Sequence, residues 1–268
     1  MATSNINSQN SMAATTDDGT DEEEEEEASA MSLIDHLEEL RWRILKTLIA
    51  IVVGGIIAFF FRDQIIQFLV LPLPDQASVA LGIHTGHKLF AFGLAEGFTV
   101  YLKLSLAAGI LLALPVLLYQ TWAFVSPGLY AREKKYAVPF IFVGIVLFLA
   151  GIALGYIVLR FPVQWLINIA SDNFIELISA DSYFTFVAFF MLAFGIVFEI
   201  PLVLTFLAQI GVITSDTLKK KRTSAHVGMW IAATFLTPGA DIYSPIILGV
   251  AMSFLFELTI IFIRITKK

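Results

Sequence analysis

The chain has 268 residues, 57% of them hydrophobic, with 24 Phe, a mean hydropathy of +0.80 and a formal net charge of −6. A soluble domain averages roughly 45–50% apolar residues, so this excess, gathered in long charge-poor runs, reads as membrane spans and excludes an ordinary soluble domain. There is no Cys, which excludes disulfides, zinc thiolates and a cysteine nucleophile.

Residues 1–30 hold nine acids and no base, whereas the remainder holds 14 acids against 17 bases. A mildly basic membrane body thus carries a separate acidic tail. The tail has too few apolar residues to build a core and is expected to be disordered. With neither an apolar h-region nor an Arg, it reads as neither a secretory signal nor a transit peptide. From Ser32 to Lys46, Leu33, Leu37, Leu40 and Ile44 recur at three- and four-residue steps, which predicts a helix with one apolar face. Ser32 is placed to cap it, with Asp35 three residues on. The helix is expected to lie on the membrane surface and to run into the first span, with Glu39 and Arg43 paired at i, i+4.

Six spans follow within a membrane domain of residues 31–268, at about 44–61, 102–125, 136–159, 183–213, 225–237 and 243–263. The fold class is therefore an all-α integral membrane bundle. The fifth span is short, since ~13 residues rise only ~20 Å against a hydrocarbon core of ~30 Å. Between spans one and two, residues 62–97 form the one long loop, expected to fold as a cap on the outer face. Spans two and three are joined by a loop ending in Arg132, Glu133, Lys134 and Lys135. With the N-terminus inside, thirteen Lys/Arg fall on the cytoplasmic side and four outside, which predicts that both termini are cytoplasmic. Glu133 has two readings: a solvated member of a topology signal, or a recognition carboxylate at the membrane edge.

Two acids lie within apolar runs. Glu199 sits deep in the fourth span, where a carboxyl costs about 2.5–3.5 kcal/mol and must face protein or water. Pro201, two residues on, frees a carbonyl of the preceding turn, so a kinked, polar, hydrated notch is expected; Glu199 then has two readings, a functional intramembrane polar site or a protonated structural Glu bonded to a neighbouring helix. Glu257 lies nearer the inner surface and reads as structural. His36, His84, His87 and His226 are too scattered for a metal site, and the His84/His87 pair reads as ordinary loop histidines. The sequence contains no Gly-rich phosphate loop, no HExxH and no GxSxG, so nothing points to an enzyme. No internal repeat is visible, which argues against an inverted-repeat transporter.

From Leu33 to Arg264 the sequence resembles the TatC family of the twin-arginine protein translocase. The resemblance is carried by His36-Leu-Glu-Glu-Leu-Arg41, by Glu96-Gly-Phe98 with Lys103, and by Leu114-Pro-Val-Leu-Leu-Tyr-Gln-Thr-Trp-Ala-Phe-Val-Ser-Pro-Gly-Leu-Tyr130 with Glu133-Lys-Lys135. Further on it rests on Phe194-Gly-Ile-Val-Phe-Glu-Ile-Pro201, Leu236-Thr-Pro-Gly-Ala-Asp241 and Phe256-Glu257. It implies a six-span, glove-shaped, non-enzymatic receptor in the cytoplasmic membrane, without cofactor or metal. Such a receptor binds twin-arginine signal peptides of folded cargo on its cytoplasmic face. It works in a multimeric complex with TatA- and TatB-type single-span partners, driven by the proton-motive force. By position, Glu39, Glu133, Arg41 and Phe124 match the signal-binding surface, and Glu199 matches the polar residue of the concave membrane face. Thr234 and Thr237 fall where the family contacts a partner helix. The chain departs from the pattern at Ser244-Pro245, where many members carry Gln after Ser, and in its acidic tail. The alternatives are a proton-coupled small-molecule transporter titrating at Glu199 and a structural membrane scaffold.

Overall fold

The computed structural model describes residues 19–73, 89–125, 137–170, 178–209, 211–237 and 241–266, with side chains within them from Asp35 onward. These residues form helices α1 (Gly19–Phe60), α2 (Arg62–Val70), α3 (Glu96–Val125), α4 (Ala137–Ala170), α5 (Ala180–Phe198), α6 (Ile200–Gln209), α7 (Ser215–Lys220), α8 (Arg222–Leu236) and α9 (Tyr243–Thr266). An apolar run in hydrocarbon must satisfy its own backbone hydrogen bonds, and the helix does so within one segment. Among the described residues, five segments are long and apolar enough to cross a membrane: Asp35–Phe60, Glu96–Phe124, Val138–Ile169, Ala180–Gln209 and Tyr243–Ile265. The expected short fifth span is α8, whose 15 residues fall below that length.

The chain divides into two units, Met1–Lys46 and Thr47–Lys268. In the first, α1 is helical from Gly19, so residues 19–30, read from composition as disordered, are helix. Ser32 lies inside that helix and is not its cap. The composition argument concerns core formation, whereas Glu and Ala are strong helix formers whether or not a core exists. Residues 1–18 lie outside the described residues.

In the second unit several bounds differ from expectation. Helix α3 begins at Glu96, more than one and a half turns before Leu102. Helix α4 continues past Leu159 to Ala170, through Arg160 and a fully buried Pro162. One cation does not end a helix when apolar residues resume after it, and the Arg160 guanidinium lies over the Phe161 ring, 5.8 Å from its centroid. The fourth span is broken into α5 and α6 at Glu199, as the Pro201 argument requires. The Glu199 N–H bonds the Ile196 carbonyl at 3.1 Å, a tightened i−3 turn.

The core is the seam between α4 and α5. Leu159, Val187, Phe190 and Phe194 are completely buried in it. The helices meet backbone to backbone: a Cβ on Gly151 would stand 2.5 Å from the Phe194 carbonyl oxygen. Gly54 and Gly55 of α1 meet Gly109 of α3 as closely. Small residues at such crossings let bilayer helices gain packing contact where no hydrophobic drive exists between them. A smaller cluster of Leu114, Leu118, Phe148 and Leu202 joins α3, α4 and α6.

The segment read as an outer cap contains α2, which is pinned from below. The Tyr183 hydroxyl donates to the Leu69 carbonyl at 2.8 Å and the Tyr156 hydroxyl to the Phe68 carbonyl at 2.9 Å. Phe90 pairs with Ser179 in a parallel bridge, through Phe90 N–H to the Ile178 carbonyl and Ala180 N–H to the Phe90 carbonyl. His84 and His87 lie outside the described residues.

Candidate functional site

The expected surface on α1 is built from one helical turn. Arg43 donates to Glu39 through both Nε, at 3.0 Å, and Nη2, and the His36 ring lies 3.8 Å from the other Glu39 oxygen. This is the anticipated i, i+4 pair in its favourable order, acid before base. Glu39 and Arg43 are partly buried, while Arg41 is exposed. Phe124 lies partly buried at the end of α3. Glu133, in the following loop, lies outside the described residues.

Glu199 occupies the break between α5 and α6. Both carboxyl oxygens are shut off from solvent, and neither has a hydrogen-bond partner among the described residues. The space beside it is made by Gly144 of α4: a Cβ there would lie 3.3 Å from Glu199 Oε2, 3.0 Å from Leu202 and 2.7 Å from Leu118. The helix is therefore broken at the acid, and Gly144, Leu118 and Leu202 gather beside its carboxyl. A buried acceptor left unpaired costs about 1–3 kcal/mol, so this position stores an unmet demand for a donor.

Sequence reading did not anticipate three polar clusters. On the α2 side of the bundle, Lys103 of α3 donates to both oxygens of Asp181 on α5, at 2.7 and 2.9 Å, and to Thr185 at 3.1 Å. Beside it Glu96 accepts from the Ser179 hydroxyl at 2.6 Å, from Asp181 N–H at 3.1 Å, and from Phe92 and Gly93 N–H. Glu96 thus ties the 89–95 segment to the start of α5, where Ser179 caps the helix by accepting from Ser182 N–H. Ser179 before an apolar run was the legible signal; its long-range partner was not.

At the lysine-rich end, Glu257 of α9 accepts from Arg222 of α8 through Nε at 2.5 Å and Nη2 at 2.6 Å. It also lies 2.9 Å from His226 Nε2, and His226 Nδ1 lies 3.1 Å from the Ser253 hydroxyl. These contacts fasten the short α8 to α9. At the other end of that pair, Asp241 accepts from Ser244 N–H at 2.7 Å and from its hydroxyl at 2.8 Å, capping α9 in a buried turn. The two threonines of α8's end differ. Thr234 is exposed with its hydroxyl on the Trp230 carbonyl, whereas Thr237 is buried and bonds the Ala233 carbonyl.

Residues 35–251 match the family model described as Sec-independent protein translocase protein (TatC). The chain is 39% identical over 235 residues to the protein of that name from Desulforapulum autotrophicum, covering 87% of this chain and 84% of that one. It is 34% identical over 234 residues to the Escherichia coli K12 TatC, covering 87% and 88%. A crystal structure of the twin-arginine translocase receptor TatC superposes with a TM-score of 0.71 at 30% identity, across 87% of this chain and all of that one. With a family model over most of its length, relatives above 30% identity and the same helical architecture, the chain belongs to the TatC family of Sec-independent protein translocase proteins.

Proposed function

We propose that this protein is the receptor core of a twin-arginine translocase in the cytoplasmic membrane, with both termini cytoplasmic. It binds twin-arginine signal peptides and passes folded cargo to TatA- and TatB-type partners, using the proton-motive force. The six spans are α1, α3, α4, α5 with α6, α8 and α9. The single observation that carries the reading is the state of Glu39, whose carboxylate already holds the Arg43 guanidinium. A planar guanidinium is the group that a carboxylate reads by paired hydrogen bonds. A signal-peptide arginine exchanges with Arg43 at the same oxygens, so the site is held in shape before cargo arrives. Glu133, with its neighbouring bases, supplies the second carboxylate; Arg41 and Phe124 complete the surface. Glu199 acts at a later step, because its burial within the bilayer removes it from arginines held at the surface. Thr234, exposed on α8, contacts a partner helix, and Thr237, bonded back to the Ala233 carbonyl, holds the end of that helix.

Site-specific photocrosslinking to a twin-arginine precursor tests this, from positions flanking Glu39 and Glu133. Glu39→Ala and Glu133→Ala each remove one charge-assisted contact of about 1.5–3 kcal/mol, a loss of roughly ten- to a hundred-fold in affinity. Glu133→Asp is milder. Wild-type crosslinking by both alanine variants refutes the assignment.

A further inference from the structure

Beneath α2 lies an apolar crevice of about 360 Å³, walled by α2, α3, α4 and α5. Its roof is Ile65 and Leu69, and its wall on α3 is Leu104 and Ala108. Ala188 and Met191 of α5 lie opposite. Among the described residues that line it, Gln64 alone has a polar side chain. The void exists because alanines stand where larger side chains would interlock. Its α3, α4 and α5 walls fall inside candidate membrane spans, so the medium it meets is hydrocarbon.

Arg62 is outside the lining itself and stands one turn before Ile65 on α2. On α2, Arg62, Ile65 and Leu69 fall at i, i+3 and i+7, and on α3 Tyr101, Leu104 and Ala108 do the same, so each trio shares a helix face. The first members of the two trios meet: the Arg62 guanidinium lies 5.4 Å from the centre of the Tyr101 ring and 5.0 Å from that of Phe59. It donates to the Phe59 carbonyl at 3.2 Å. The Asp63 oxygen beside it is 3.9 Å away, beyond hydrogen-bond range. A guanidinium has five donor hydrogens, so most of its capacity is left for another acceptor.

A cation over an apolar slot is the pattern of a lipid site: a phosphodiester bonded to the cation and an acyl chain in the slot. A partner helix does not suit it. A helix with its side chains is ~10–12 Å across, wider than a void of this volume accepts. An extended peptide would bury backbone groups against a lining that has almost nothing to bond them. We propose that this crevice is a phospholipid site, with the phosphate on Arg62 and one acyl chain held between α2, α3 and α5. The bound lipid fills the space under α2 and braces that helix against α3 and α5.

The test is lipid retention by the full-length chain, purified in mild detergent and examined by native mass spectrometry after addition of phosphatidylglycerol. Wild type is expected to keep one phosphatidylglycerol under activation that strips the rest. Ala108→Leu and Ala188→Leu fill the slot and are expected to lower that retention roughly tenfold. Arg62→Gln removes the cation without adding volume to the slot, and keeps the test open if a filled slot prevents folding. It is expected to lower retention of phosphatidylglycerol to a similar degree. Phe254→Ala, on the exposed side of α9, is expected to leave retention as in wild type. Equal retention by wild type, Arg62→Gln and whichever filled variants fold overturns the proposal. Loss of a co-purifying single-span partner from the filled variants, with lipid retention unchanged, also overturns it and assigns the crevice to a helix.

Discussion

Replacing Glu199 by Leu separates what this residue costs the fold from what it does for transport. Its two oxygens are buried without a partner among the described residues, and Gly144 stands beside the carboxyl with Leu118 and Leu202 close by. Removing an unsatisfied buried acceptor recovers about 1–3 kcal/mol. Leucine is close in volume, and imperfect shape takes back up to ~1.5 kcal/mol. The net expectation is a protein about 1–2 kcal/mol more stable than wild type. Glu199→Gln is expected to stay near wild type, since an amide is as poorly paired there, and Glu199→Ala to fall below Leu because it leaves a cavity. Stability is read by SDS titration of protein in bicelles, and function by export of a twin-arginine reporter from cells. The expected pattern is Glu199→Leu more stable and export-defective, with signal crosslinking retained. A loss of more than ~1 kcal/mol on Glu199→Leu refutes the reasoning, because it means that the carboxyl is satisfied and holds the helices together. The Gln variant then addresses the proton-coupled alternative. If hydrogen bonding is what matters, Gln exports better than Leu, and if titration matters it is as defective.

At the α4–α5 seam, Gly151→Ala is expected to destabilise by about 1–3 kcal/mol, because its Cβ meets backbone that cannot turn aside. Gly228→Ala, with nothing within 4 Å, is expected to be neutral or to stabilise by up to ~1 kcal/mol through helix propensity; thermal unfolding of the detergent-solubilised pair reverses the argument if Gly228→Ala proves the worse. Lys103→Ala and Asp181→Ala are each expected to weaken the fold, with the double variant losing less than the sum, a coupling of about 0.5–2 kcal/mol given the partial exposure of both side chains. Strict additivity in the same assay rules out the pair as a tie between α3 and α5. A reporter fused after Lys268 is expected to read cytoplasmic and one inserted near Asp75 external, and the inverse pattern overturns the orientation drawn from the basic residues.

The membrane class, the five long apolar helices and the short α8 were legible in one dimension, because they depend on how many apolar residues follow one another. The break at Glu199 was legible for the same reason: Pro201 removes a donor from its own helix, a local event that needs no partner. The Glu39–Arg43 pair is likewise a matter of helical spacing. The start of α3 and the end of α4 were not legible: α4 runs on because apolar residues resume after Arg160, whose guanidinium lies over the ring of its own neighbour Phe161, and because Pro162 is buried in the packing. Nor could any sequence pattern join Lys103 to Asp181, Glu96 to Ser179 or Arg222 to Glu257, pairs separated by 78, 83 and 35 positions. Those ties, the glycine that makes room for Glu199 and the crevice beneath α2 exist only where separate helices meet. Spacing along the chain determines which face a residue occupies; the packing of faces determines what that residue touches.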